Sequence, residues 1–429
     1  MRKLIFFLLT VPFILQQAQA QKLTAEEKKI VLSVRKQMPQ TLQLLEELIN
    51  INSGTLNVEG VKKVGELLGK QFEDIGFTTT WITLPDSLKR AGHLVANKKG
   101  SKGKKLFLIG HLDTVFEPDM PANPYRKLND TTATGQGAND MKGGDLVILG
   151  ALQALESAGL LEDVSITAYF TGDEEKTGIP IYVSRADFIE RAKECDIALA
   201  FESAQGLNTV ATARRGSSSW ILKVYGKQGH SGGIFSSGYG AIYEASRIVN
   251  TFREQLSKEQ YLTFNPGIFV GGSEVEYDSA NIRADVSGKT NIISPSAIVQ
   301  GDLRFLTERQ KDAARAKMKA IATSNNLPGT RAEILFADNI PGMEPTEGNK
   351  RLLEILNNVS TDLGLGPTKA GNPGSRGAGD ISYIAKYIDC LDGLGASGSG
   401  AHAPGETINL AQFPKLIERA AILIYRLTR

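Results

Sequence analysis

An α/β fold, with a mixed, mostly parallel sheet flanked by helices and interrupted by an inserted α+β unit, is predicted by three features of the 429-residue sequence. Short apolar runs recur with the length of buried strands: "HLVANKK", "KLFLIGHLD", "VSITAYFTG" and "DIALAFES". Helical patterns such as "KGGDLVILGALQALESAGL" separate the later runs. Strands alternating with helices build a parallel sheet covered on both faces. Near Arg214 the pattern changes to alternating, half-buried strands around helices, and after Pro341 it changes back.

Residues 1–20 join the basic start "MRK", the apolar core "LIFFLLTVPFIL" and the small-residue end "AQA", the pattern of a secretory signal peptide. An apolar run of about 12 residues is short for a bilayer span. A secreted or periplasmic protein is expected, with no membrane attachment after processing. Residues 21–213 form the first part of the main domain. Within it, 22–80 reads as helical from the spacing in "TLQLLEELINI" and "VKKVGELLGKQFEDIGF". Residues 214–339 form the inserted unit: strands "SSSWILKVYGKQGH", "NIISPSAIVQGDLRFL" and "RAEILFAD", helices "GYGAIYEASRIVNTFREQL" and "ERQKDAARAKMKAIATSNN". Residues 340–429 complete the main domain with "NKRLLEILNNVSTDLG", "SYIAKY", "DCLDGLGAS" and a last helix, "FPKLIERAAILIYRL".

Without Arg2 and Lys3 the 49 basic residues fall to 47, against 47 acids, so the processed chain is formally neutral. That argues against nucleic acid or an anionic membrane surface as a partner. The only cysteines, Cys195 and Cys390, do not have the spacing of a thiolate metal site, and the sequence does not decide whether they pair.

Ligand-type residues stand where the strands end. "LFLIG" runs into His111 and Asp113, "ITAYFTG" into Asp173, Glu174 and Glu175, and "IALAF" into Glu202. "CLDGLGAS" leads through glycines to His402, and Asp140 precedes a long helix in "GANDMKGG". In open α/β sheets, ligands gather at the carboxyl ends of strands. Histidines with several carboxylates and no cysteine suit zinc. The acids exceed the needs of one tetrahedral ion, and two ions bridged by a carboxylate would use them. One acid should stay free as general base toward water. Asp113, two residues from His111, suits a partner that orients the ring. His93 has no such company and reads as structural, and Asp173 has no role that separates it from a turn-forming aspartate.

"GHLDTV", "GANDMKGG", "TGDEEKTG", "LAFES" and "GAHAPGE", in this order, resemble the secreted glutamate carboxypeptidase and aminoacylase family of dinuclear zinc hydrolases. The resemblance covers nearly the whole processed chain. It implies a phosphorylase/hydrolase-like zinc peptidase domain with a lid that also dimerises. It implies that His111, Asp140 and Glu202 hold one zinc and Asp140, Glu175 and His402 the other. Glu174 is then the base and Asp113 the partner of His111. His230 is the lid histidine that reaches the partner subunit's site, and Asn291 the lid asparagine near substrate. One departure concerns the substrate carboxylate: "ADNIPGMEPTEGN" lacks the family's arginine, and Arg376, Arg214, Arg215 or Arg304 could replace it. The expectation is a homodimeric zinc exopeptidase that cleaves an amide next to a free carboxylate, or an amidohydrolase of N-acyl amino acids.

Three rival readings exist. Ser231 in "GHSGG", Asp380 and His402 follow the Ser–Asp–His order of α/β-hydrolases, but the sharp strand-to-helix elbow is missing. "GLGASG" fits a dinucleotide fingerprint, but no helix follows. A binding protein without turnover would have lost its base, and Glu174 is present. A bland reading makes "DEEKTG" a solvated turn paired with Lys176, which leaves the other strand ends unexplained.

Overall fold

The computed structural model describes residues 23–429, and the signal peptide expected at 1–20 lies outside them. The chain opens with helix α1 (Ala25–Asn50), started by a capping box in which Thr24 and Glu27 satisfy each other's backbone N–H. Helix α2 (Val58–Glu73) leads into strand β1 (Thr78–Ile82), where the helical reading of 22–80 ends. The reason is local: "TTTWI" is rich in β-branched and aromatic residues, and it pairs antiparallel with β2 (His93–Lys98). Strand β3 (Lys102–His111), helix α3 (Lys142–Ser157), strand β4 (Val164–Thr171), helix α4 (Ala186–Lys193) and strand β5 (Ile197–Ala200) follow.

The inserted segment contains β6 (Gly216–Gly226), β7 (Gly229–His230), helix α5 (Gly240–Leu256), β8 (Thr263–Gly272), β9 (Ile292–Ile293), β10 (Ser296–Phe305), helix α6 (Glu308–Thr323) and β11 (Thr330–Asp338). Helix α7 (Glu347–Asp362), strand β12 (Asp389–Leu391) and helix α8 (Phe413–Leu427) end the chain. The segment "SYIAKY" begins in a short 3-10 turn, Asp380–Tyr383.

The larger sheet runs β1-β2-β4-β3-β5-β12. Strand β3 is parallel to β4 and β5, and β5 to β12, whereas β1 and β2 are antiparallel, so the sheet is mixed. Side chains of β3 alternate between two cores. Leu106 and Leu108 join the core under α1, α2, α3 and α8, and Phe107 and Ile109 pack with Tyr169 and Phe188 on the other face. Helix α3 is buried nearly all round, as its apolar sequence requires.

A separate core forms where Trp220, Leu222 and Val224 of β6 pack with Ile248 and Phe252 of α5 and Met318 of α6. Its antiparallel sheet runs β8-β10-β6-β11. Strand β8 and the hairpin Glu274–Asp278 with Arg283–Ser287 had no clear signal in the sequence. Pro266 and a bulge beside it break the alternation, and an edge strand tolerates both. Arg214 and Met343 exchange backbone hydrogen bonds where the chain enters and leaves this unit. Among the described residues no helix is long and apolar enough to cross a membrane.

Candidate metal centre

Parallel pairing sets the site. His111 ends β3 directly opposite Thr171, the last residue of β4, so the turn carrying Glu174 and Glu175 leaves the sheet beside the histidine. Glu202 follows β5, the other neighbour of β3. Asp140 sits just ahead of α3, held by the carboxylate of Glu406, which accepts the backbone N–H groups of Gly137, Asn139 and Asp140 at 3.0, 2.7 and 2.8 Å. His402 lies four residues before Glu406 in a loop with left-handed backbone at Gly400, His402 and Gly405. Only the glycines adopt that conformation without strain.

Asp140 faces both histidines. Its Oδ1 is 3.2 Å from His111 Nε2 and its Oδ2 is 3.0 Å from His402 Nε2. Glu202 Oε1 is 3.8 Å from His111 Nε2, and Glu175 Oε2 is 3.2 Å from His402 Nε2. Two donors on one tetrahedral zinc stand roughly 3.3 Å apart, so these spacings fit ions between the groups. Donor atoms of His111, Asp140 and Glu175 lie within 4.8 Å of one another, as do those of His111, Glu174 and Glu202. Glu175 Oε1 is buried without a hydrogen-bond partner, as suits a metal ligand. His402 is 59% exposed and forms the open rim of the cluster.

The charges are unbalanced. Burial, reinforced by Glu202, holds the Glu174 carboxyl well above the usual range. Burial and the nearby Asp140 push Glu202 up to about 7. Burial raises Glu175 as well, against the opposing hydrogen bond from His402. Hydrogen bonds to Asp140 and Glu175 push His402 up to about 11. Acids crowded in this way hold protons unless cations replace them.

Asp113 does more than the sequence suggested. His111 Nδ1 is 3.0 Å from its backbone carbonyl and 3.4 Å from Oδ1, which leaves Nε2 for the cluster. Its carboxylate also accepts the backbone N–H groups of Glu174 and Glu175, each at 3.1 Å, and the Thr55 hydroxyl at 2.6 Å. Neither Thr55 nor Glu406 was found from the sequence, although Glu406 closes the quoted "GAHAPGE".

His230 and Asn291 stand together away from this cluster. They are exposed on the β7–β9 ribbon, and Ser231 N–H donates to the Asn291 carbonyl at 2.9 Å. Arg376 donates Nη1 to the Ser203 carbonyl at 2.9 Å and keeps Nη2 4.0 Å from Asp392. Arg214 bonds through all three nitrogens, to the Gly377 and Ala378 carbonyls and to Asp392. Arg304 pairs with Asp302, and Arg215 bonds Thr263. The serine-hydrolase grouping does not form: Asp380 bonds Arg185 and Thr171, His402 faces Asp140 and Glu175, and Ser231 begins a 3-10 turn after β7. "GLGASG" leads into a short strand, Gly398–Ser399, and not into a helix. Cys195 and Cys390 are unpaired thiols.

Residues 107–426 match the family described as Peptidase family M20/M25/M40. The chain is 28% identical over 426 residues to carboxypeptidase G2 of Pseudomonas sp. (strain RS-16), covering 99% of this chain and 97% of that protein. It is 24% identical over 379 residues to a succinyl-diaminopimelate desuccinylase of Magnetococcus marinus, covering 84% and 92%. Its fold is similar to the YXEP protein of Bacillus subtilis, described as a dinuclear metal binding peptidase from the M20 family. The TM-score is 0.65 at 14% identity, over 92% of this chain and 99% of that one.

Proposed function

The chain belongs to peptidase family M20/M25/M40, and from that premise we propose that it is a secreted, glutamate carboxypeptidase-like exopeptidase that cleaves an amide next to a free carboxylate. The metallopeptidase chemistry follows from the family; the substrate, the residue roles, export and assembly are this reading. The observation that carries it is Asp140, with one oxygen toward His111 and the other toward His402. Such a carboxylate is suited to bridge two ions, zinc by ligand type.

His111, Asp140 and Glu202 would hold one zinc, and Asp140, Glu175 and His402 the other. When bound, the two ions supply a Lewis acid for the scissile carbonyl and a lowered pKa for water. Glu174 takes the proton from the attacking water and delivers it to the leaving nitrogen, one group serving as base and then acid. Its side chain suits this role, because it lies beside the cluster and accepts no hydrogen bond among the described residues. Asp113 fixes the ring of His111.

His230 would complete the site from a partner subunit. Its Nδ1 accepts the Gly232 N–H at 3.1 Å, so the neutral ring carries its proton on Nε2, free to donate to an oxyanion. Asn291 would bind substrate beside it. The lid and dimer reading is supported by β8, an edge strand, and by exposed Phe235, Ile242, Tyr243 and Phe269 on this unit. Arg376 is the candidate for the substrate carboxylate, since its guanidinium is less committed than that of Arg214.

The similarity to a desuccinylase favours a second reading, an amidohydrolase of N-acyl amino acids on the same residues. A hydrolysis screen with dipeptides, folyl-glutamate analogues and N-acyl amino acids, each with and without chelator, separates them. Cleavage of C-terminal glutamates supports the first reading, and hydrolysis confined to N-acyl amino acids the second. Chelator-insensitive activity overturns both.

A further inference from the structure

Beneath the Glu174–Glu175 turn lies a buried charge cluster that the reaction scheme leaves unused. Asp173, Arg185, Asp380, Thr171, Ser184 and His93 are all at most 5% exposed. Arg185 Nε donates to Asp380 Oδ1 at 2.8 Å. Its Nη1 donates to Asp173 Oδ1 at 2.5 Å and to Ser184 Oγ at 2.8 Å, and its Nη2 to the Asp173 carbonyl at 3.3 Å. The Tyr383 ring faces the guanidinium at 5.6 Å.

The two carboxylates are tied further. Asp173 Oδ2 accepts Gly178 N–H at 2.8 Å and Ser184 Oγ–H at 2.7 Å, which closes the turn from 173 to 178 on itself. Asp380 Oδ2 accepts the Thr171 hydroxyl at 2.6 Å, from the last residue of β4. His93 bonds Gly172 N–H through Nδ1 and the Ser184 carbonyl through Nε2, so it spans the same two segments.

One guanidinium therefore grips two acids. One acid directly precedes Glu174, and the other directly follows the glycine-rich loop of Arg376. A buried cation between two carboxylates is an expensive arrangement unless geometry is gained. Asp113 holds the backbone of Glu174 and Glu175 from the metal side. Arg185 holds the preceding residue from the sheet side. The backbone that carries Glu174 and Glu175 is thus held on both sides.

We infer that Arg185 is a positioning residue. By bridging Asp173 and Asp380 it fixes the turn that aims Glu174 and Glu175 at the metal centre, and ties that turn to the Arg376 loop. This assigns a role to Asp173 and His93 that the sequence alone did not provide. It rests on the proposed roles of Glu174 as proton carrier and Glu175 as ligand.

The test compares wild type, Arg185→Lys, Thr171→Val, Ser184→Ala and Glu174→Gln in the processed protein. Lysine keeps the charge and loses the fork. Valine and alanine each remove one hydroxyl donor with little change of shape. Zinc affinity is measured by competition with a chelator, without substrate, and kcat and KM with 4-aminobenzoyl-L-glutamate or, where wild type does not cleave it, N-acetyl-L-glutamate. Arg185→Lys should weaken one of the two zinc sites about 10- to 100-fold and lower kcat by a similar factor, the range for outer-shell partners of a metal centre. KM should change less than threefold, and Thr171→Val and Ser184→Ala should show smaller losses in the same two quantities. If Arg185→Lys does not fold, the two hydroxyl variants decide. Zinc affinity and kcat within twofold of wild type in every soluble variant of Arg185, Thr171 and Ser184 overturn the inference. Normal turnover by Glu174→Gln overturns the underlying roles instead, and is a separate outcome.

Discussion

Asp113 Oδ1 accepts the backbone N–H of Glu174 at 3.1 Å, so the residue that orients His111 also sets the position of the proposed base. Asp113→Asn keeps the shape and removes one acceptor. The new NH2 group must face Thr55, the Glu174–Glu175 turn or His111, and at the backbone N–H groups it meets another donor. Turnover should fall about 10- to 100-fold with folding retained. Steady-state kinetics and circular dichroism check this, and unchanged kcat/KM would show that the contact is dispensable.

Glu174 and Glu175 are neighbours, yet they should respond differently to substitution. Glu174→Gln removes the proton carrier and leaves the ligand set whole. Turnover should drop by about 10²- to 10⁴-fold at unchanged zinc content. Glu175→Gln removes an oxygen 3.2 Å from His402 and should lower the bound zinc. Elemental analysis of the two purified variants distinguishes them, and equal zinc loss in both contradicts the division of labour.

The sequence made the strand-end groups legible because each follows its own apolar run. His111, Glu175 and Glu202 need only the topology of a parallel sheet to converge, and the structure brings them together with Asp140 and His402. The supports were not legible. Asp173 is explained by Arg185 and Asp380, the latter more than two hundred residues away in sequence. Glu406 holds Asp140 across 266 positions. Such pairings depend on loop paths that local periodicity does not encode. Strand β8 was missed for a different reason, because Pro266 and Gly267 break the alternation that marks a strand.

The segment from β6 to β11 should carry its own acid sensitivity. The Glu244 carboxylate is buried and bonds Arg247 at 2.9 and 2.7 Å, Asn326 at 2.6 Å and Leu327 N–H at 3.1 Å. Burial alone would raise its pKa, but these hydrogen bonds outweigh it and hold the carboxyl below its ordinary 4.5. A lowered folded-state pKa stabilises above the unfolded value, and the contribution disappears as pH falls through the folded value. Acid should therefore loosen this unit below about pH 4.5. Glu244→Gln should lose about 1–3 kcal/mol at pH 7 and flatten the acid limb of the stability curve. Urea unfolding at pH 7 and pH 4 checks both, and an unaltered pH slope counts against the assignment.

Removing the metals should destabilise as well as inactivate. Glu174, Glu175 and Glu202 are all raised by burial beside one another, so without cations the cluster keeps crowded carboxyl groups. An ion that binds only the folded state stabilises it by about 2.7 kcal/mol at a hundredfold excess over its Kd. Chelation should thus abolish hydrolysis and lower Tm, and added zinc should restore both. Scanning calorimetry with and without chelator tests this, and an unchanged Tm would argue that the cluster holds no ion in the folded protein.

Subunit mixing locates the site at which His230 acts. It stands with Asn291 on the exposed β7–β9 ribbon, apart from the centre formed by His111, Asp140 and His402. If its Nε2–H serves the partner subunit's site, His230→Ala and Glu174→Gln homodimers are each defective, for different reasons. Mixed through a dissociation and reassociation step, half of the dimers become hybrids. In each hybrid one site has an intact Glu174 and receives an intact His230, and the other has neither. Random pairing therefore returns about a quarter of wild-type activity per subunit. Activity that stays at the level of the separate variants, with hybrids verified by native mass spectrometry, would place His230 outside the reaction or within its own subunit.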